Sequence, residues 1–197
     1  MQYLKNSADI KTQIMQFALA KMLWLDTEIA DWNTSFPRLS LIQVLAVPQD
    51  YTGEDVYLLD VLDKPDLVIF FINKIMMNHQ IEKVFHNASF DLRYLGDKSA
   101  LNVTCTLKIA RKIKREILQV SNLKLKTLAV ELCSFLDVDT EEQASDWGKR
   151  PLTDKQLKYA AMDTVYLAAV HRRLLEHSNY KNVSNIFDML PNDSKRN

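Results

Sequence analysis

The chain has 197 residues, 25 of them basic and 25 acidic, with 47% hydrophobics and only three glycines. It is long enough for one substantial core and too short for two, so it reads as one domain over residues 1–190 with a frayed polar tail at 191–197. Zero net charge excludes capture of nucleic acid by the whole-molecule field, and any such binding must rely on local patches.

No stretch approaches the roughly 18 uninterrupted apolar residues of a membrane span. The N-terminus lacks a signal-peptide pattern, because Lys21 interrupts its longest apolar run. Cys105 and Cys133 are the only cysteines and read as reduced thiols, which suits a cytoplasmic protein. There is no CxxC or CxxH pair, so a zinc site is not expected.

Residues 7–20 begin with a plausible cap at Ser7 and place Ile10, Ile14, Phe17 and Ala18 on one helical face. Residues 21–30 then alternate as a strand. Leu23, Leu25, Thr27 and Ile29 point one way, and Trp24, Asp26, Glu28 and Ala30 the other. A polar turn at 31–35 leads to a strong strand at 39–47. A loop at 48–55 with Gly53 at its tip precedes a third strand at 56–59. Short connections between these three favour antiparallel pairing. Residues 65–77 have helical spacing, 82–86 read as a strand, 88–95 as a helix, and 101–104 as a fifth strand whose Thr104 caps a helix over 107–118. Further helices are expected at 123–132 and 153–177, the last opened by the capping box Thr153-Asp-Lys-Gln156. The order implies an α/β fold, a mixed five-stranded sheet with three antiparallel strands followed by parallel ones, flanked by helices.

Four carboxylates stand out by position. Asp26 and Glu28 are about 6.6 Å apart at Cα on one face of a hydrophobic strand, where they either emerge into solvent at a strand end or, if buried, call for a neutraliser such as a divalent cation. Asp91 follows the fourth strand, a place that a helix dipole alone also favours. In the last helix, Leu157, Ala160, Ala161, Thr164, Leu167 and Ala168 form one packing stripe, while Tyr159, Asp163, Tyr166 and Val170 form a second. Asp163 is the only carboxylate on that second stripe.

An Asp-x-Glu on a strand, an Asp after a later strand and a Tyr-x-x-x-Asp on a late helix resemble the motifs of the DEDD exonucleases, with the tyrosine marking the DEDDy branch. More closely, the chain resembles the exonuclease domain of ribonuclease D. The likeness is carried by Leu25-Asp-Thr-Glu28, Pro37-Arg-Leu-Ser-Leu-Ile-Gln43, Val84-Phe-His-Asn-Ala-Ser-Phe-Asp91, Asp146-Trp-Gly-Lys-Arg-Pro-Leu152 and Gln156-Leu-Lys-Tyr-Ala-Ala-Met-Asp163. It departs from the family at Cys105-Thr106, where Asp-Thr is usual, which puts local helix capping in question. The helical C-terminal domains of bacterial ribonuclease D are not expected in this chain.

The resemblance implies an RNase H-like fold and two divalent cations, Mg²⁺ or Mn²⁺, held by Asp26, Glu28, Asp91 and Asp163. Such a pair, about 3.5–4 Å apart, can stabilise the attacking and leaving oxygens of an in-line displacement at phosphorus. Tyr159 is then the residue that orients the attacking water, since a tyrosine of ordinary pKa near 10 is a poor base. The implied activity is 3′–5′ exonucleolytic hydrolysis at the 3′ end of single-stranded nucleic acid, RNA over DNA, releasing nucleoside 5′-monophosphates. A DNA exonuclease of the Werner type and a catalytically silent binding module remain open as alternatives. Candidate substrate contacts are Thr27, His86 and Asn87, with Trp32, Phe90 and Trp147 as aromatic faces. A basic helix face of Lys108, Arg111, Lys112 and Arg115, with Lys124 and Lys126 nearby, is a candidate track for the strand.

Overall fold

The computed structural model describes residues 1–188, with side chains to Ser178; the tail expected at 191–197 lies outside the described residues. Six strands form one sheet: β1 (Gln2–Leu4), β2 (Met22–Ala30), β3 (Arg38–Leu45), β4 (Tyr57–Asp60), β5 (Glu82–Phe85) and β6 (Val103–Cys105), in the order β1-β4-β3-β2-β5-β6. β2–β3 and β3–β4 are antiparallel, while β2–β5 and β5–β6 are parallel, as the connections required. The sheet has one strand more than expected. β1 has three residues and pairs parallel with β4 at the sheet edge, too short to show a period of two.

The alternation along β2 is kept and sorts the two faces. Leu23, Leu25 and Ile29 join Ile42 and Val44 under the helices α1 (Ser7–Phe17) and α2 (Pro65–Phe71). Trp24 joins Leu41, Leu58 and Val84 under the last helix, whose Ala160, Ala161 and Ala168 enter the same cluster. Those alanines have little side chain to hold the helix off the sheet, so its backbone approaches the strands that carry Asp26 and Glu28. Gly53, at φ +83, turns the β3–β4 loop against this helix, where an added Cβ would touch Ala161 and Met162.

The other helices depart from expectation in instructive ways. Asn6 caps α1 in place of Ser7, its Oδ1 accepting from the Ala8 and Asp9 amides at 2.8 and 3.4 Å. The helix expected over 65–77 is α-helical only to Phe71 and continues as a π-helical turn, Ile72–Met76. The segment 88–95 is a compact bend around one 3₁₀ turn, Asp91–Arg93, closed in by left-handed residues Asn87 and Gly96. Thr104 is not a cap but a β6 residue. Helix α3 (Thr106–Lys112) starts after Cys105 with no side-chain cap, in line with the departure noted at Cys105-Thr106. It stops at Ile113, whose backbone is extended, and α4 (Arg115–Leu118) is a separate turn.

Two more helices complete the frame, α5 (Leu125–Cys133) and α6 (Asp154–Asp188). α6 is opened by the reciprocal Thr153–Gln156 capping bonds. Its second stripe, Tyr166 and Val170 with Leu174, packs on Leu128 and Ala129 of α5 and Ala110 of α3. Both stripes are therefore buried, one on the sheet and one on α3 and α5. Asp163 lies on the second stripe, one turn after Tyr159. No helix among the described residues is long and apolar enough to cross a membrane.

Candidate active site

Asp26 and Glu28 stand in the middle of β2, next to the antiparallel β3. There Gln43, paired in register with Asp26, donates its Nε2 to Glu28 Oε1 at 3.3 Å. Asp91 comes from the bend after β5, and the Thr27 hydroxyl donates to its Oδ1 at 2.7 Å. Asp163 comes from α6, one turn after Tyr159. Glu28, Asp91 and Asp163 are each less than a tenth exposed, and Asp26 keeps partial exposure.

Their electrostatics tie the four together. Burial, then the charges of Asp91 and Asp163, push Asp26 well above the usual carboxylate range. Burial, then Asp26 and Asp163, do the same to Glu28. Burial carries Asp91 up to about 7 against the opposing Thr27 hydrogen bond. Asp163 is carried up to about 6 by burial, against the pull of Lys126. The Tyr159 hydroxyl is raised far beyond its ordinary range by burial, then by Asp163, Glu28 and Asp26, so it stays protonated at neutral pH. It can donate or orient. It is no base.

Lys126, expected on a surface track, is instead inside the cluster. Its Nζ lies 3.3 Å from Asp163 Oδ1, 3.4 Å from the centroid of the Tyr159 ring, and donates to the Asp139 carbonyl at 2.7 Å. The Asp163 contact is an ion pair by distance, yet that oxygen has no donor in hydrogen-bond geometry. A buried ion costs several kcal/mol even after relaxation, so one ammonium cannot offset four carboxylates.

The donor set suits a hard divalent cation: carboxylate oxygens, three of the four residues deeply buried, with an orphaned oxygen on Asp163. No three His, Cys, Asp or Glu residues among the described ones converge as a ready-made cage, and Lys126 stands among the acids.

The expected substrate contacts divide. Thr27 is buried and serves Asp91. His86 is engaged inside the protein, its Nδ1 2.9 Å from Thr106 Oγ1, and burial pushes it down to about 4, so the ring is neutral. Asn87 is exposed at the end of β5. Phe90 is 40% exposed with the Arg93 guanidinium 4.5 Å above its ring, next to Asp91 in the chain. Trp32 is exposed in the loop after β2. Trp147 is not available for stacking, being 2% exposed and packed at 6.1 Å on Tyr159, with its carbonyl accepting from Ser40 and Arg150.

The basic face does not survive as one track. Arg115 is cut off from α3 by the break at Ile113. Lys108 and Lys112 line a cleft of about 450 Å³ with Met22, Glu82 and His171, and none of the four acids borders it. Arg111 and Lys124 remain exposed. Gln43, quoted in a motif but given no role from sequence, is the residue that reasoning missed. Its signal was its position beside an acid-bearing strand.

Residues 1–178 match the 3′–5′ exonuclease family, and the chain belongs to it. Among curated relatives, ribonuclease D of Shewanella sp. (strain ANA-3) is 29% identical over 175 residues, covering 89% of this chain and 42% of the relative. The chain thus spans about two-fifths of the length of the ribonuclease D proteins it matches. Escherichia coli RNase D superposes with a TM-score of 0.70 at 23% identity, covering 92% of this chain and 46% of that one. The Aedes aegypti Nibbler EXO domain superposes at 0.74 and 18% identity, covering 94% of both.

Proposed function

We propose that this protein is a metal-dependent 3′–5′ exoribonuclease acting on single-stranded 3′ ends and releasing nucleoside 5′-monophosphates. The observation that supports this most is the electrostatic coupling of four acids from β2, the β5 bend and α6, three of them deeply buried, beside a protonated tyrosine. Asp26, Glu28, Asp91 and Asp163 would hold two divalent cations, Mg²⁺ or Mn²⁺. Cations bound there would supply charge to the attacking and leaving oxygens of an in-line displacement and lower the pKa of a bound water.

The chain's own residues do the rest. Thr27 fixes the rotation of Asp91, and Gln43 that of Glu28, by the hydrogen bonds described. Tyr159 is held between Trp147 and Lys126, so its hydroxyl is fixed beside Asp163 and can orient a water without taking its proton. Phe90, backed by Arg93, offers an exposed aromatic face for the terminal base and a cation for its phosphate. The ribonuclease D names of the curated relatives favour RNA over DNA.

The test is end chemistry. A single-stranded RNA with a 3′-hydroxyl should be degraded to nucleoside 5′-monophosphates, and the same RNA with a 3′-phosphate more slowly. Internal cuts without a terminal ladder, or faster digestion of matched DNA, would overturn the corresponding part of the proposal.

A further inference from the structure

Lys126 lies in the first turn of α5, whose N-terminus has no side-chain cap, yet its Nζ is one of the most tightly engaged groups near the acids. An ammonium has three N–H donors. Here it donates to the Asp139 carbonyl at 2.7 Å, pairs with Asp163 Oδ1 at 3.3 Å by charge and not in hydrogen-bond geometry, and lies over the Tyr159 ring face at 3.4 Å. Its charge acts on Asp26 and Glu28 as well as on Asp163. A divalent cation bound by a carboxylate sits about 2.0–2.6 Å from its oxygen. An ammonium 3.3 Å from that same oxygen and such a cation would be like charges within a few ångströms of each other.

The surroundings give the lysine somewhere to go. A cleft of about 260 Å³ opens beside its two partners Tyr159 and Asp163, lined also by Asp137 and Asp139 and by Lys155 and Lys158. Asp139 already has Lys155 at 4.0 Å, so the cleft offers the ammonium room and solvent, and a four-carbon stem can turn without moving the helix. We infer that Lys126 is a built-in counter-ion of the acid cluster, seated on Asp163 in the metal-free protein and displaced from it when a divalent cation binds. This rests on the reading of the four acids as metal ligands. It makes Lys126 a competitor of the metal. The lysine stabilises the empty fold and weakens metal affinity, so nuclease activity would respond to the concentration of free divalent cation.

The test is Mn²⁺ binding without RNA, by electron paramagnetic resonance on metal-stripped protein at pH 7.5, for wild type, Lys126→Met, Lys126→Gln and Asp163→Asn. Methionine keeps the apolar stem over Tyr159 and removes the charge. Glutamine keeps a donor for the Asp139 carbonyl and provides a second neutral variant if methionine disturbs folding. Both should bind Mn²⁺ about tenfold or more tightly than wild type. Both should also unfold at lower temperature than wild type in EDTA, with the gap closing as Mn²⁺ is added. Equal or weaker Mn²⁺ binding by both variants, while wild type binds and Asp163→Asn does not, would overturn the inference and leave the acids as ligands. Loss of RNA affinity with unchanged Mn²⁺ affinity would also overturn it, making Lys126 a phosphate contact. If no variant and not wild type binds Mn²⁺, the metal reading of the acids falls and the inference with it.

Discussion

Asp91→Asn should make the metal-free protein more stable, by an amount that grows with pH. The carboxyl is 2% exposed and carried up to about 7 from its ordinary value of 3.8, burial being the largest cause. A raised acid binds its proton more tightly folded than unfolded. Wild-type stability therefore falls relative to the asparagine variant as pH rises between about 4 and 7, and the difference is constant above that. Each pKa unit is worth about 1.4 kcal/mol, so a shift of about three units sets an upper bound near 4 kcal/mol. Part of the shift is shared with Asp26, which brings the expected difference at pH 8 to about 2–4 kcal/mol. For a chain of this size that is about 4–16 °C in melting temperature. Asparagine keeps an oxygen to accept from Thr27, so little else is lost. Thermal unfolding of both proteins in EDTA at pH 4.5, 6, 7 and 8 measures it. The comparison between variants cancels the opposite contribution of His86, which is depressed to about 4 and gains stability as pH rises through 4 to 6.5. Parallel curves, or an asparagine variant that loses ground as pH rises, would refute the reasoning.

Tyr159→Phe keeps the packing on Trp147 and the ring under Lys126 and loses only the hydroxyl. Turnover should fall by about 30- to 1,000-fold, equivalent to roughly 2–4 kcal/mol, with KM and Mn²⁺ affinity nearly unchanged. Lys83 is fully buried on two carbonyls, those of Asn78 and Ile81, and burial lowers it to about 8. The folded state then holds fewer protons than the unfolded one between about pH 8 and 10.4, so stability rises with pH across that window. Denaturant unfolding at pH 8 and 10 should show the rise in wild type and not in Lys83→Met.

The pairing directions of five strands and the placing of Asp26, Glu28 and Asp163 on packed faces were legible because each rests on a local periodicity, whereas Asp91 joined them only through the family resemblance. The period of two in β2 put Asp26 and Glu28 on the α6 face, and the fixed phase of α6 put Asp163 on its second buried stripe, with Tyr166 and Val170. What escaped depends on contacts distant in sequence. Lys126 shares its stretch with Lys124 and reads as a solvated lysine, and only the approach of α5 to α6 carries it to Tyr159 and Asp163. Trp147 sits in an unstructured-looking polar stretch, and its burial is decided by the carbonyl bonds that fasten that stretch to Ser40 and Arg150. Lys108, Arg111, Lys112 and Arg115 have continuous helical spacing, but the backbone leaves the helix at Ile113, where no glycine or proline marks the break. β1 exists because β4 offers it an edge.

The most direct measurement is nucleotide release from a 5′-labelled single-stranded RNA with wild type and Asp26→Asn, each in Mg²⁺ and in excess EDTA. Asp26→Asn removes one charge from the centre of the cluster and keeps the shape of the side chain. Wild type in Mg²⁺ should give a descending ladder of single-nucleotide steps. Wild type in EDTA and Asp26→Asn in either condition should give none, with both proteins folded by circular dichroism. A ladder from wild type in EDTA, or from Asp26→Asn at the wild-type rate, would contradict a metal-dependent exonuclease built on these four acids.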